Sequence, residues 1–321
     1  MRFLRLLTAV MVSLSSAGSF ALAPVIDAFD LVDRIDAQDV VVLDIRDQSS
    51  AFEAGHIPTA RHIPYAAFRG PDNNPGEVLP IEQIAALLGA VGLRTTDAVV
   101  IVSDGIATTD FGAAARVYWT LKSVGFNTLS ILNGGFRGYQ KDGFEVTSGP
   151  HQVSKTELTL TFNPQWYANT AAVRAALDAD AARIIDARPA AFYDGASWHE
   201  AAGRPGAITT AELISFERFF DPGTPLLKDL ADIQGIVTDF AFDGTEVITY
   251  CNTGHLAATN WFVLSELAQL SDVKLYPESI VEWSNASAPM MNVPSPIQVA
   301  MLKTKGWLDR LMQPGDTPTV N

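Results

Sequence analysis

Short runs of apolar or β-branched residues recur along the chain at positions 40–43, 99–102, 184–185 and 247–249. Their lack of polar alternation predicts strands buried on both faces. Longer stretches with helical periodicity lie between and after them, such as "GAAARVYWTLKSVGF" at 112–126 and "LAATNWFVLSELAQL" at 256–270. Strands alternating with helices predict an α/β fold with mainly parallel sheets flanked by helices. Residues 145–164, "EVTSGPHQVSKTELTLTFNP", break the pattern with Ser, Thr, Gly and Pro and end in a strand-like "LTLTF". They read as a connection between two units. Beyond Ala288 the chain is polar and proline-rich, apart from "MLKTKGWLDRLM" at 301–312, a short amphipathic helix by pattern.

The two halves repeat one order of motifs. "VVVLDIRDQSSAF", "GHIPTARHIP", "AVVIVSDG" and "LSILNGGFRGYQKDG" in the first half answer to "ARIIDARPAAFYDG", "GRPGAITTAE", "TEVITYCNTG" and "VKLYPESIVEW" in the second. Asp44-x-Arg46 matches Asp186-x-Arg188, and Asp104 is expected where Cys251 falls. The predicted organisation is a leader at 1–23, a first unit at 24–146, a linker at 147–165, a second unit at 166–290 and a tail at 291–321.

Composition narrows the function. Lys and Arg number 22 against 36 Asp and Glu, a net charge of −14, which disfavours nucleic acid and anionic lipid as partners. The N-terminus carries Arg2 and Arg5, a short apolar core over 6–14 and Ala21-Leu22-Ala23, the pattern of a cleaved secretory signal. Export, with a periplasmic location, is the expectation. The apolar core is too short to span a bilayer, and no other segment reads as transmembrane, so no stable membrane insertion is expected. A lone cysteine, Cys251, in an exported chain points to a reactive thiol or an intermolecular link, although free cysteines are commonly buried as small hydrophobes.

Cys251 follows a predicted strand and precedes a predicted helix. Such a loop turns backbone N–H groups inward, and a thiolate beside them is stabilised. Gly254 permits the tight bend. The loop, the paired Asp-x-Arg, the "GHIPTA" segment and the duplicated α/β unit together resemble the tandem-domain rhodaneses, which are thiosulfate or 3-mercaptopyruvate sulfurtransferases. The resemblance spans about residues 27 to 288. It implies two rhodanese-like domains, a non-catalytic first one and a catalytic second one. It further implies that Cys251 is the nucleophile that becomes a persulfide. Arg188, Asn252, Thr253, Gly254, His255, Leu256 and Ala257 would bind the substrate, the loop amides stabilising the anionic terminal sulfur. An Asp-x-Arg at a strand end is as commonly a structural ion pair, which is the alternative for Arg188. The implied partners are a small anionic sulfur donor and a thiophilic acceptor, cyanide or a thiol, with no cofactor.

The loop departs from the family's patterns. Asn252 and Thr253 stand where the thiosulfate type has cations and the mercaptopyruvate type has Gly-Ser, and Phe192 stands where a second Arg is common. His255 supplies charge there if protonated. Arg204, in the place of a usual His, either lines the cleft or pins its loop. Trp198-His199 lie in a mouth loop, and Trp283 is expected to pack. The His and Cys spacing offers no zinc site. A phosphatase of related fold needs an Arg in the loop, where this chain has Ala257 and Ala258. The alternative function is a non-catalytic sulfur carrier or binding module.

Overall fold

The computed structural model describes residues 22–149, 153–302 and 304, with only the backbone of Ser50. The predicted leader up to residue 21 and most of the amphipathic stretch at 301–312 lie outside the described residues.

The first unit runs β1 (Val25–Ile26), α1 (Ala28–Ala37), β2 (Val41–Asp44), α2 (Ser49–Ala54), β3 (Arg61–His62), α3 (Ile81–Ala90), β4 (Ala98–Val102), α4 (Thr108–Ser123), β5 (Thr128–Leu132) and α5 (Gly135–Lys141). Its strands form a parallel sheet in the order β1-β5-β4-β2-β3. The second unit runs α6 (Thr170–Ala179), β6 (Ala182–Asp186), α7 (Ala190–Tyr193), β7 (Ala207–Ile208), β8 (Glu212–Leu213), α8 (Leu230–Asp239), β9 (Glu246–Tyr250), α9 (Leu256–Phe262), β10 (Val273–Leu275), α10 (Ser279–Asn285) and β11 (Met290–Met291). Its parallel sheet has the order β10-β9-β6-β8, and β7 pairs antiparallel with β11. A parallel sheet must be covered on both faces, which is why these strands lack alternation. One face of each sheet joins a core shared by both units, and the other has its own cluster. The shared core runs through α4 and α9, where Tyr118 meets Phe262 edge-on with ring centroids 5.0 Å apart.

The repeat extends to unusual backbone. Thr59 and Thr210 both hold positive φ, 66° and 63°, costly for a β-branched residue. Arg46 and Arg188 both fold back onto the aspartate two residues earlier and donate through Nη2 to a glycine carbonyl, Gly55 and Gly206.

Strand register corrects two expected correspondences. Asp44 lies opposite Val102 and Asp186 opposite Tyr250, so Cys251 answers to Ser103 rather than to Asp104. The amides confirm the shift: Phe136 N donates to Ser103 O as Ile280 N does to Cys251 O. Gly206, not Gly203, is the counterpart of Gly55, so Ala207 takes the place of His56 and Arg204 precedes the motif. The "LTLTF" segment is not a strand. Leu158, Leu160 and Phe162 turn one side to the shared core while the residues between them stay exposed, and alternation arises from that half-burial without pairing.

Candidate active site

Cys251 directly follows β9 and is 1% exposed, and it is a free thiol. Its position is set from below by Ser279, whose Oγ accepts from the amides of Cys251 and Gly254, both at 3.1 Å, and donates to Tyr276 O. Two of the loop's donors are thereby spent. Among the described residues, the amides of Asn252, Thr253, His255, Leu256 and Ala257 meet no acceptor, and the next helical turn begins with Ala258 N on His255 O. Gly254 has φ +69°, and a Cβ there would lie 2.5 Å from Arg116 Nη1 and 2.6 Å from Pro277 Cα and O. Glycine is demanded both by the conformation and by the space.

The expected site residues occupy one loop, with differing commitments. Asn252 and Thr253 sit beside Cys251, Leu256 is partly buried at the start of α9, and Ala257 is buried. The Arg188 guanidinium is occupied by Asp186 and Gly206 O, with Nη1 only 3.4 Å from Asn252 Oδ1. Asp186 also accepts from Tyr250 Oη at 2.6 Å. Burial, reinforced by the Arg69 charge, pushes the His255 pKa down to about 3, so its ring is neutral near pH 7 and adds no charge. Its Nδ1 and Tyr65 Oη share a hydrogen bond of 2.8 Å. Arg204 donates to Ala288 O and pins its loop. The Trp283 indole is buried with its N–H on Pro289 O. His199 is partly buried and accepts from the Ala201 amide.

Three first-unit residues that sequence reasoning did not single out reach this loop. Arg69 donates to Thr253 Oγ1 at 2.7 Å and to Tyr65 Oη at 3.0 Å. Arg116, 1% exposed on α4, donates through Nη2 to Gly76 O, while its Nε and Nη1 have no partner. Burial chiefly, then the Arg69 charge, lowers the Arg116 pKa to about 10, with Tyr65, Glu278 and Cys251 opposing. These contacts join residues up to 190 positions apart, so no local pattern announces them.

Behind Arg116, Glu278 is buried with Oε1 on Tyr167 Oη and Oε2 unpartnered. Burial outweighs the nearby Arg116 charge and raises its pKa from 4.5 to about 7. A carboxyl with a raised folded-state pKa favours folding below the unfolded value, and that contribution is lost as pH climbs through the folded value. The parent should therefore lose stability relative to Glu278→Gln as pH rises from 4.5 to about 7. Above that window the difference should be constant. Urea midpoints of both proteins across the window check this, and a flat difference would contradict it.

Comparison with known proteins places these features in a context. A family model described as "Rhodanese-like domain" matches residues 27–142 and again 169–286. A Synechococcus elongatus protein named "Putative thiosulfate sulfurtransferase" is 27% identical over 277 residues, covering 82% of this chain and 83% of its own. The 3-mercaptopyruvate sulfurtransferase of Escherichia coli is 27% identical over 264 residues, covering 79% of this chain and 92% of its own. Among solved structures, SseA of Escherichia coli, described as a 3-mercaptopyruvate sulfotransferase, aligns with a TM-score of 0.69 and 24% identity over 80% of this chain and 98% of its own. An anaerobic ergothioneine biosynthesis enzyme from Chlorobium limicola aligns with a TM-score of 0.71 and 18% identity over 83% and 69%. At these identities the structural likenesses show the fold.

Proposed function

From a chain that belongs to the rhodanese-like domain family, as a tandem pair whose kinship supports a sulfurtransferase-type activity, we propose a sulfurtransferase acting through a persulfide on Cys251. The observation that carries the reading is the setting of Cys251: a buried thiol at a strand end, followed by five backbone amides without an acceptor. Such amides suit a small anion held at the cysteine.

The Cys251 thiolate attacks the outer sulfur of thiosulfate or the thiol sulfur of 3-mercaptopyruvate. A sulfur–sulfur bond to Cys251 forms, and the bond from the attacked sulfur to the rest of the donor breaks, sulfur–sulfur in thiosulfate and carbon–sulfur in 3-mercaptopyruvate. The electron pair leaves with sulfite in the first case. In the second it leaves with the pyruvate enolate, which takes up the donor's thiol proton. The resulting Cys251 persulfide anion rests against the free amides of Asn252, Thr253, His255, Leu256 and Ala257. A thiophilic acceptor, cyanide or a thiolate, attacks the terminal sulfur and returns the Cys251 thiolate. In this reading the leader-like N-terminus directs the chain to the periplasm.

The 1% exposure of Cys251 favours a second reading, a non-catalytic sulfur carrier or binding module, because so enclosed a thiol gives a donor little access. A thiocyanate assay with either donor plus cyanide separates the two. Transfer is expected in the parent and absent in Cys251→Ser. Activity persisting in the variant defeats the mechanism, and no activity in the parent favours the second reading.

A further inference from the structure

The cleft above Cys251 needs a cation for an anionic donor, and the loop does not supply one. Asn252, Thr253 and Gly254 are uncharged, His255 is neutral near pH 7, and Arg188 is neutralised by Asp186 at 2.6 Å. Arg69 differs from all of these. Among the described residues neither Arg69 nor Arg116 has a carboxylate within ion-pair distance, but Arg116 is 1% exposed, whereas Arg69 is only partly buried and open to a ligand. Its two hydrogen-bond partners, Tyr65 Oη and Thr253 Oγ1, are neutral. A guanidinium has five N–H donors, so most of the fork remains open.

Arg69 is also held in place. Tyr65 Oη accepts from Arg69 and shares a hydrogen bond with His255 Nδ1 at 2.8 Å, which fixes the phenol between the two. Arg69 bonds Tyr65 of the first unit and Thr253 of the second, so it stands between the units at the Cys251 loop. The chain's own repeat marks this position as a departure. Arg69 directly follows the 3-10 turn Tyr65–Phe68, and its counterpart after Phe216–Phe219 is Phe220, a buried core residue. A partly buried cation with neutral partners in place of an apolar side chain carries a desolvation cost that an anionic ligand relieves.

We propose that Arg69, supplied by the first unit, binds the oxyanion group of the sulfur donor, a carboxylate or a sulfonate, and sets the donor's sulfur against Cys251. This rests on the reading of Cys251 as the nucleophile. The first unit then does more than shape the cleft: it contributes a residue that determines specificity. A planar fork matches a carboxylate or sulfonate edge with two parallel N–H contacts, and lysine offers only a point charge.

The test compares alkylation of Cys251 by iodoacetate, an anion, with that by iodoacetamide, its neutral analogue, in the full chain. Intact mass follows the parent, Arg69→Met and Arg69→Lys. The ratio of the two rates cancels changes in thiol reactivity. The parent should prefer iodoacetate more than free cysteine does. Arg69→Met should lower that preference about 10-fold or more, and Arg69→Lys should keep part of it. KM should rise in Arg69→Met with kcat less affected; a rise for thiosulfate names a sulfonate, and a rise for 3-mercaptopyruvate names a carboxylate. A parent with no preference above free cysteine, or an unchanged ratio and unchanged KM in Arg69→Met, overturns the proposal. If the parent accepts no sulfur from either donor while the iodoacetate preference still depends on Arg69, the anion site stands and the transfer reading falls. If Cys251 takes up sulfur equally well in the parent and in Arg69→Met, the reading stands and the Arg69 proposal falls.

Discussion

Asp186→Ala is expected to cost roughly 3–5 kcal/mol of folding stability. Asp186 is fully buried and accepts from the Arg188 amide, from Arg188 Nε and Nη2, and from Tyr250 Oη. Removing the carboxylate leaves a buried guanidinium without its counter-charge and a buried phenol with its proton unplaced. The remaining Gly206 carbonyl and a 3.4 Å contact to Asn252 cannot replace a carboxylate. Because Tyr250 immediately precedes Cys251, the damage should extend to the site. Adding Arg188→Met should recover part of the loss, since a hydrophobic replacement of a whole buried pair is often tolerated. Urea denaturation of the single and double variants measures both effects, and a single variant within about 1 kcal/mol of the parent would refute the account of this latch.

Gly254→Ala should abolish transfer more completely than it destabilises the fold. A β-carbon at φ +69° costs about 1–2 kcal/mol by itself. The new atom would also crowd the Arg116 guanidinium and the Pro277 backbone at 2.5–2.6 Å, and overpacking of this kind costs typically 1–3 kcal/mol. The Pro277 clash is with backbone rather than with the end of a flexible side chain, so the loop has to shift, and a displacement of about 1 Å at a reacting group costs on the order of 100-fold in rate. Gly223→Ala is the matched control, with φ +75° and no atom within 4 Å of its Cβ. It should show the conformational cost without loss of transfer. Rates and urea midpoints for both variants decide the point, and equal activities would mean that the loop geometry at Gly254 is not needed.

The parallel sheets were legible because their strands are uninterrupted apolar runs, and the duplication was legible because the motifs repeat in order. What sequence could not fix was register. Asp104 lies one residue beyond the counterpart of Cys251, because its charge is conspicuous in sequence whereas the end of β4 carries no local mark. The true counterpart, Ser103, is inconspicuous in sequence and visible only from Asp44 lying opposite Val102. Arg204 was misplaced for the same reason, since Gly203 and Gly206 both offer a glycine to anchor the motif. The "LTLTF" alternation reported half-burial correctly, but pairing needs a neighbouring strand that the fold does not supply. Arg69, Tyr65 and Arg116 escaped notice because their relation to the Cys251 loop exists only after the units pack through α4 and α9. Arg69 and Thr253 are 184 positions apart. A useful signal was present nonetheless: residues 252–257 carry no Lys or Arg, so any arginine beside Cys251 has to come from another segment.

The central claim is that Cys251 carries the transferred sulfur. Intact-protein mass spectrometry after incubation with thiosulfate or 3-mercaptopyruvate, without acceptor, addresses it most directly. The account predicts the added mass of one sulfur atom on the parent, localised to Cys251, released on addition of cyanide and absent in Cys251→Ser. An unmodified parent with both donors, or added sulfur that persists in Cys251→Ser, would contradict it.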